Sequence, residues 1–319
     1  LLNSLGTGST MYWRTCNSTT TVTTTATNVL IEAENDSQIC TCTGNHEATR
    51  GGSSTDGLVV KGGKFTALTN GQGKIYNTAT GASQNICVIG CHFDGLNDVC
   101  SASGSVNVRG ISMINIVEDG VISSQCYFSN DTRGFLGFGL NIPLGSQANV
   151  GLGTAGEHTF RFGQTETGEA GYHSFAFCII GNEVAISKTP LRWYAASNLW
   201  VYRCKLNPRT SYGGFSPDPS TPTTDRFCVT INFDQVYFHR GSSAGGSSFI
   251  VEWNTGTSQA MFRNCFFDLV QVLYVPRENE NENGQSHNSD DVSYIQCEFY
   301  NTAGKAINFK YVTMVNIPK

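Results

Sequence analysis

Short runs in which apolar and polar residues alternate recur along this chain, as in Ile86-Cys87-Val88-Ile89 and Val292-Ser293-Tyr294-Ile295. A period of two marks a β-strand with one buried face. Each such run leads into a small residue followed two places later by an apolar one. The units are Gly63-Lys64-Phe65, Cys91-His92-Phe93, Cys126-Tyr127-Phe128, Asn182-Glu183-Val184, Cys204-Lys205-Leu206, Val236-Tyr237-Phe238, Cys265-Phe266-Phe267 and Cys297-Glu298-Phe299. Their first positions are 63, 91, 126, 182, 204, 236, 265 and 297, so most steps lie between 22 and 35 residues and one spans 56. A repeat of this period is that of stacked coils, each burying its apolar face against its neighbours. The pattern predicts a single β-solenoid of eight or nine coils, with the small slot residues stacked in its interior.

Composition agrees with an all-β chain rich in turns. Of 319 residues only 14% are charged, 35 are glycine, and no long run of helix formers appears. The net charge of −5, without a concentrated Lys/Arg face, argues against a nucleic-acid partner. No apolar stretch approaches the roughly 20 residues that span a bilayer. The first residues form no leader with charged and apolar regions, and position 1 is Leu rather than Met, so the chain is expected to be a piece of a longer precursor. An extracellular location, secreted or on a surface or virion, is the matching expectation.

Residues 1–50 differ in texture. They carry the run Ser18-Thr19-Thr20-Thr21-Val22-Thr23-Thr24-Thr25-Ala26-Thr27 before an apolar strand at Val29-Leu30-Ile31. A terminal segment that blocks the open strand edges of the solenoid is the reading adopted, with the β-helix proper over 51–319. Insertions are expected near 129–156, 207–225 and 277–291; the last contains Glu278-Asn279-Glu280-Asn281-Glu282-Asn283, a solvated loop or a calcium site. Nothing in the sequence requires a cofactor. The chain has 12 cysteines. Side chains stacked in one column about 4.8 Å apart point the same way and fit disulfide geometry poorly, so Cys91, Cys126, Cys204, Cys265 and Cys297 are expected to be reduced and buried.

The succession of strand, slot and loop, in segments such as Val121-Ile122-Ser123-Ser124-Gln125-Cys126-Tyr127-Phe128 and Met261-Phe262-Arg263-Asn264-Cys265-Phe266-Phe267, resembles the right-handed parallel β-helix superfamily. That superfamily includes pectate-lyase-like polysaccharide-active proteins and phage tailspikes. The resemblance implies an all-β, single-stranded right-handed parallel β-helix over residues 55 to 315 and a glycan as partner. It specifies fold far better than activity. The Gly-His-Gly and Arg-Ile-Lys patterns of polygalacturonases and the Arg-x-Pro-x-x-Arg of pectate lyases are missing, although Asn207-Pro208-Arg209 comes near the latter.

For chemistry the sequence offers Gly156-Glu157-His158-Thr159-Phe160-Arg161-Phe162 and, 31 residues on, Lys188-Thr189-Pro190-Leu191-Arg192-Trp193-Tyr194. An offset of one coil would set Phe160 and Phe162 inward with Leu191 and Trp193, Arg161 beside Arg192, and Glu157 beside Lys188. Two stacked arginines repel unless an anion lies between them, which suits the carboxylate of a uronic acid. β-Elimination from a uronate polymer needs that carboxylate neutralised, a base for the C5 proton and an acid for the leaving oxygen. Arg161 and Arg192 fit the first role; His158, Lys188 and Tyr194 fit the others, with Glu157 tuning a neighbour. Glu252 and Tyr274 continue the polar face as substrate contacts, and Glu157 with Glu252 is the pair that hydrolysis would need. The competing reading is a non-catalytic trunk or surface fibre, which predicts an apolar outer face for trimer contact in place of a monomer's polar one.

Overall fold

In the computed structural model residues 6–18, 23–24, 27–42, 47–51, 54–67, 74–78, 82–102, 108–128, 132–142, 160–162, 172–180, 191–193, 198–206, 215–217, 228–239, 257–268, 291–300 and 312–315 are described. Their regular structure is all strand and all parallel pairing, a β-solenoid. The first face is a 13-stranded sheet: Ser54–Asp56 stands beside a main succession of twelve. That succession runs through Thr10–Trp13, Val29–Ala33, Leu58–Lys61, Ala82–Ile89, Val108–Ile114, Thr132–Phe138, Tyr172–Ala176, Asn198–Tyr202, Cys228–Asp234, Thr257–Arg263, Asp291–Ile295 and Val312–Val315. Parallel pairing therefore extends into the first fifty residues.

A 17-stranded sheet supplies the second and third faces. The second holds short strands such as Lys64–Ala67, Ile179–Ile180, Lys205–Leu206, Tyr237–His239, Phe266–Asp268 and Glu298–Tyr300; the third holds Lys74–Thr78, Phe160–Phe162, Leu191–Trp193 and Phe215–Pro217. Two long strands, His92–Ala102 and Val117–Phe128, join both ladders, with register shifts between Phe93 and Asp98 where the chain bends from one face to the other.

Alternation fills the core. On the first face Ile86 and Val88, Ile111 and Met113, and Leu199 and Val201 are buried; on the second, Phe65, Phe93, Ile142, Ile180, Leu206, Phe238 and Phe267 are. Aromatic rings at equivalent positions of successive coils stack flat: Phe233 on Phe262 at 5.0 Å, Phe262 on Tyr294 at 4.9 Å and Phe238 on Phe267 at 5.0 Å. These separations approach the spacing of neighbouring strands, so the sheet itself holds the rings in contact.

The corner between the first and second faces positions everything that follows. There one residue takes a left-handed conformation, the next is the slot residue, and the second-face strand begins. The left-handed column reads Gly62, Gly90, Asn115, Gly139, Phe177, Arg203, Gln235, Asn264 and Gln296, with φ between 48° and 72°. Their N–H groups and those of the residues after the slots donate to the neighbouring coil, as in Arg203 N to Asp234 O at 3.0 Å and Lys205 N to Cys178 O at 2.8 Å. Main-chain hydrogen bonding thus passes through the corner without a break.

This ladder corrects one of the expected slots. The observed column is Gly63, Cys91, Ile116, Leu140, Cys178, Cys204, Val236, Cys265 and Cys297. Cys126 instead pairs with Cys100 and Phe160 on the third face, where the same period-two pattern arises without a corner. Asn182 lies outside the described residues. The long step was an artefact of that misplacement: Thr132–Phe138 and Asn141–Ile142 form a regular coil inside the stretch read as the insertion near 129–156. The insertions near 207–225 and 277–291 lie largely outside the described residues.

Cys91, Cys204, Cys265 and Cys297 are free and buried, as is Cys178. Their thiols donate to carbonyls around the bend: Cys265 Sγ reaches Phe233 O at 3.5 Å and Arg263 O at 3.4 Å, and Cys178 Sγ reaches Ala176 O at 3.1 Å. Burial pushes the Cys91 thiol up to about 12 from its ordinary 9.0, so it stays protonated.

Candidate functional site

Most of the sequence-predicted site residues, Glu157, His158, Lys188, Tyr194, Glu252 and Tyr274, lie outside the described residues. The two arginines do not. Arg161 and Arg192 are register partners on the third face, flanked by Phe160 opposite Leu191 and Phe162 opposite Trp193. Phe160 and Leu191 are fully buried. The one-coil offset therefore holds, and the arginine column continues from Tyr127 to Ser216.

A second polar constellation, missed in the sequence, surrounds the corner on the coils of 172–180, 198–206, 228–239 and 257–268. Phe177, Arg203 and Gln235 follow one another in the left-handed column, where the neighbouring coils before them carry Gly or Asn. With Ile179, Lys205, Cys178 and Cys204 they line an open groove of about 410 Å³. Left-handed geometry turns these side chains outward, and Phe177 is 47% exposed. A bulky aromatic residue at positive φ is an outlier, worth roughly 1–2 kcal/mol of steric cost. Such cost persists where the surroundings hold it. Phe177 is held by edge-on contacts to Phe138 at 5.4 Å and Tyr202 at 5.6 Å.

Cations lie on these rings. The Arg203 guanidinium is 5.1 Å from the Tyr202 ring centre and 6.0 Å from that of Phe177, and its Nε donates to Gln235 Oε1 at 2.8 Å. The Lys205 ammonium is 5.8 Å from the Tyr237 ring centre. Among the described residues neither forms an ion pair, whereas Arg14 with Glu34, Lys61 with Glu32, and Lys64 with Asp94 do in earlier coils. Trp200 is 54% exposed on the same coil as Arg203. Leu136, Phe138, Tyr172 and Ile179 extend the exposed apolar surface around it.

Beyond Lys205 on the second face, three polar groups converge. Tyr237 and His239 flank the fully buried Phe238, and Asp268 is the register partner of His239 one coil later. The Tyr237 hydroxyl donates to Asp268 Oδ2 at 3.1 Å, and His239 Nδ1 lies 3.1 Å from the same oxygen. Burial, then the hydrogen bond to Asp268, raises the Tyr237 phenol above its ordinary 10.0. The sequence signal was available: aligning the slots Val236 and Cys265 sets His239 opposite Asp268.

His173 is in the strand Tyr172–Ala176 and buried in the core, where burial lowers it to about 4 from 6.5. Among the described residues no group of three or more His, Cys, Asp or Glu is placed to hold a metal ion, and no helix is long and apolar enough to cross a membrane. Compared with protein-family models, curated proteins and solved structures, the chain matches none.

Proposed function

We propose that this protein is an extracellular polysaccharide-binding protein that seats an acidic glycan in the corner groove and cleaves uronic-acid polymers by β-elimination. The observation that carries the reading is the pair Arg203 and Lys205. Both stand over aromatic rings along one groove, and among the described residues neither has a carboxylate partner in a chain that is acidic overall. Sugar rings present apolar C–H faces to aromatic side chains, and a uronate adds a carboxylate at each residue for the cations to meet. Coils set about 4.8 Å apart repeat such contacts along the solenoid axis. The register of Arg161 with Arg192 supports a further anion contact on the third face.

The test is titration of oligouronates and of neutral oligosaccharides of equal length against the wild type, Arg203→Ala and Lys205→Ala. Each substitution is expected to weaken oligouronate binding about tenfold, the worth of one charge-assisted contact. Added salt should weaken it further. Equal affinity for the neutral oligosaccharide, or unchanged affinity in both variants, would overturn the reading.

A second reading rests on the exposed apolar side chains Leu136, Phe138, Tyr172, Phe177, Ile179 and Trp200 on adjoining coils. Their exposure favours self-association through this face, as a structural or adhesive trimer would require. Sedimentation of the wild type and of Trp200→Ser separates the two: a stable oligomer lost in the variant assigns the face to subunit contact.

A further inference from the structure

We infer that His239, Asp268 and Tyr237 form a proton-transfer site beside the corner groove, which acts on the uronate bound there. This inference rests on the glycan reading above and assigns its chemistry to residues outside the segment the sequence singled out. The fold explains their meeting. Residues two apart on a strand share a side, so burial of Phe238 turns Tyr237 and His239 outward together. Parallel register then brings Asp268 to His239, and Lys205 to Tyr237 from the preceding coil.

Hydrogen bonding fixes the roles. His239 Nδ1 lies 3.1 Å from Asp268 Oδ2 and 3.2 Å from the Tyr237 hydroxyl oxygen; with the hydroxyl proton directed to Asp268, Nδ1 carries its own proton and donates it to the carboxylate. Nε2 therefore holds the lone pair, the arrangement of a general base oriented by a carboxylate. The imidazole is accessible, with 29% of its side-chain surface exposed, while the Asp268 side chain is more enclosed at 16%. The Tyr237 hydroxyl donates to the same oxygen, and its ring stacks on the imidazole at 5.5 Å, which limits the imidazole's rotation.

The reaction these groups fit is elimination at a uronate. His239 Nε2 takes the proton from C5, the C–H electron pair becomes the C4–C5 double bond, and the C4–O bond breaks. The departing oxygen takes a proton from the Tyr237 hydroxyl. Lys205, whose ammonium lies over the Tyr237 ring, is on the side where the uronate carboxylate gathers charge as C5 loses its proton. Exchange with water returns the proton from imidazolium and restores the phenol. No oxidant, reductant or second substrate enters the balance. Asp268 is a positioning residue: it sets the tautomer and the orientation of His239.

The experiment uses the full chain with polymannuronate, polygalacturonate and hyaluronan, following ultraviolet absorbance of the unsaturated product and, separately, binding of the same polymers. The expected result is turnover in the wild type. His239→Gln should retain binding and lose turnover at least a hundredfold, the worth of a general base. Asp268→Asn should keep KM and lower kcat, because an amide no longer dictates which imidazole nitrogen carries the proton. Among the described residues the charged or titratable groups facing His239 are Tyr237 on its own strand, Asp268 on the next coil and, across Tyr237, Lys205 on the one before. Turnover surviving in His239→Gln, or an unchanged kcat in Asp268→Asn, overturns the assignment alone; binding without turnover in the wild type overturns it together with the cleavage reading and leaves glycan binding intact. Absence of binding removes both. Circular dichroism of each variant checks that the solenoid has folded.

Discussion

Phe177 gives the sharpest test of how the corner is built. Truncating it to Ala removes a ring that is 47% exposed, so about half of the roughly 1.5–3 kcal/mol for burying Phe is lost, about 1 kcal/mol. Ala leaves the second contribution untouched, because its Cβ still crowds the following carbonyl at φ 56°, worth about 1–2 kcal/mol. Phe177→Gly loses the same ring but also removes that crowding; the added freedom of the unfolded chain takes back about 0.5–1 kcal/mol. Glycine should therefore be more stable than alanine here by about 0.5–1 kcal/mol, the reverse of their order in a regular strand. The assay is urea unfolding of both variants followed by tryptophan fluorescence, compared by midpoint at equal slope. Both should lose oligouronate affinity to the same extent, since both remove the ring beside Arg203. If alanine equals or exceeds glycine in stability, the left-handed strain assigned to this position is wrong.

Two further outcomes follow from the core and the neighbouring corners. A Cβ added at Gly139 would lie 2.5 Å from Asn115 Oδ1 at a φ of 63°, so Gly139→Ala should cost about 2–3 kcal/mol in thermal or urea unfolding. Adding Asn115→Gly should recover the steric part, and a pair of strictly additive effects would refute the contact. His173 is neutral when buried and binds a proton near 6.5 when unfolded, so stability is intact above pH 6.5 and falls as pH drops towards 4, by roughly 3 kcal/mol in all. His173→Leu, matching Leu199 at the same inward position, should flatten that slope in unfolding measured at pH 7 and pH 4.5.

The fold was legible because two periods coincide, alternation within a strand and recurrence between coils. The same arithmetic aligned Phe160 with Leu191 and Arg161 with Arg192. It went astray where one pattern serves two places. Cys126-Tyr127-Phe128 obeys the rule for a strand entering a corner, yet it lies on a flat face; Ile116 and Leu140 occupy true corners but are branched and larger than the slot was expected to admit. The backbone signature of a corner is the residue before the slot, and Gly62, Gly90, Asn115 and Gly139 announce it while Phe177, Arg203 and Gln235 conceal it. That concealment is why the groove went unread: φ above zero is unexpected for those residue types, and period-two reasoning has no means of turning them outward. The convergence of Tyr237, His239 and Asp268 needed the correct slot alignment first, after which it is a matter of register.

The corner's hydrogen bonds run from main chain to main chain, so the coil closes in the same way whether glycine or phenylalanine precedes the slot. Trunk and ligand surface are thereby encoded at separate positions. A substitution at 177, 203 or 235 rewrites one rung of the groove and its side-chain contact with the next, while the main-chain ladder beneath is kept. A lineage built on this scaffold can change the surface it presents one coil at a time, and a designer can do the same by choosing which corners give up glycine.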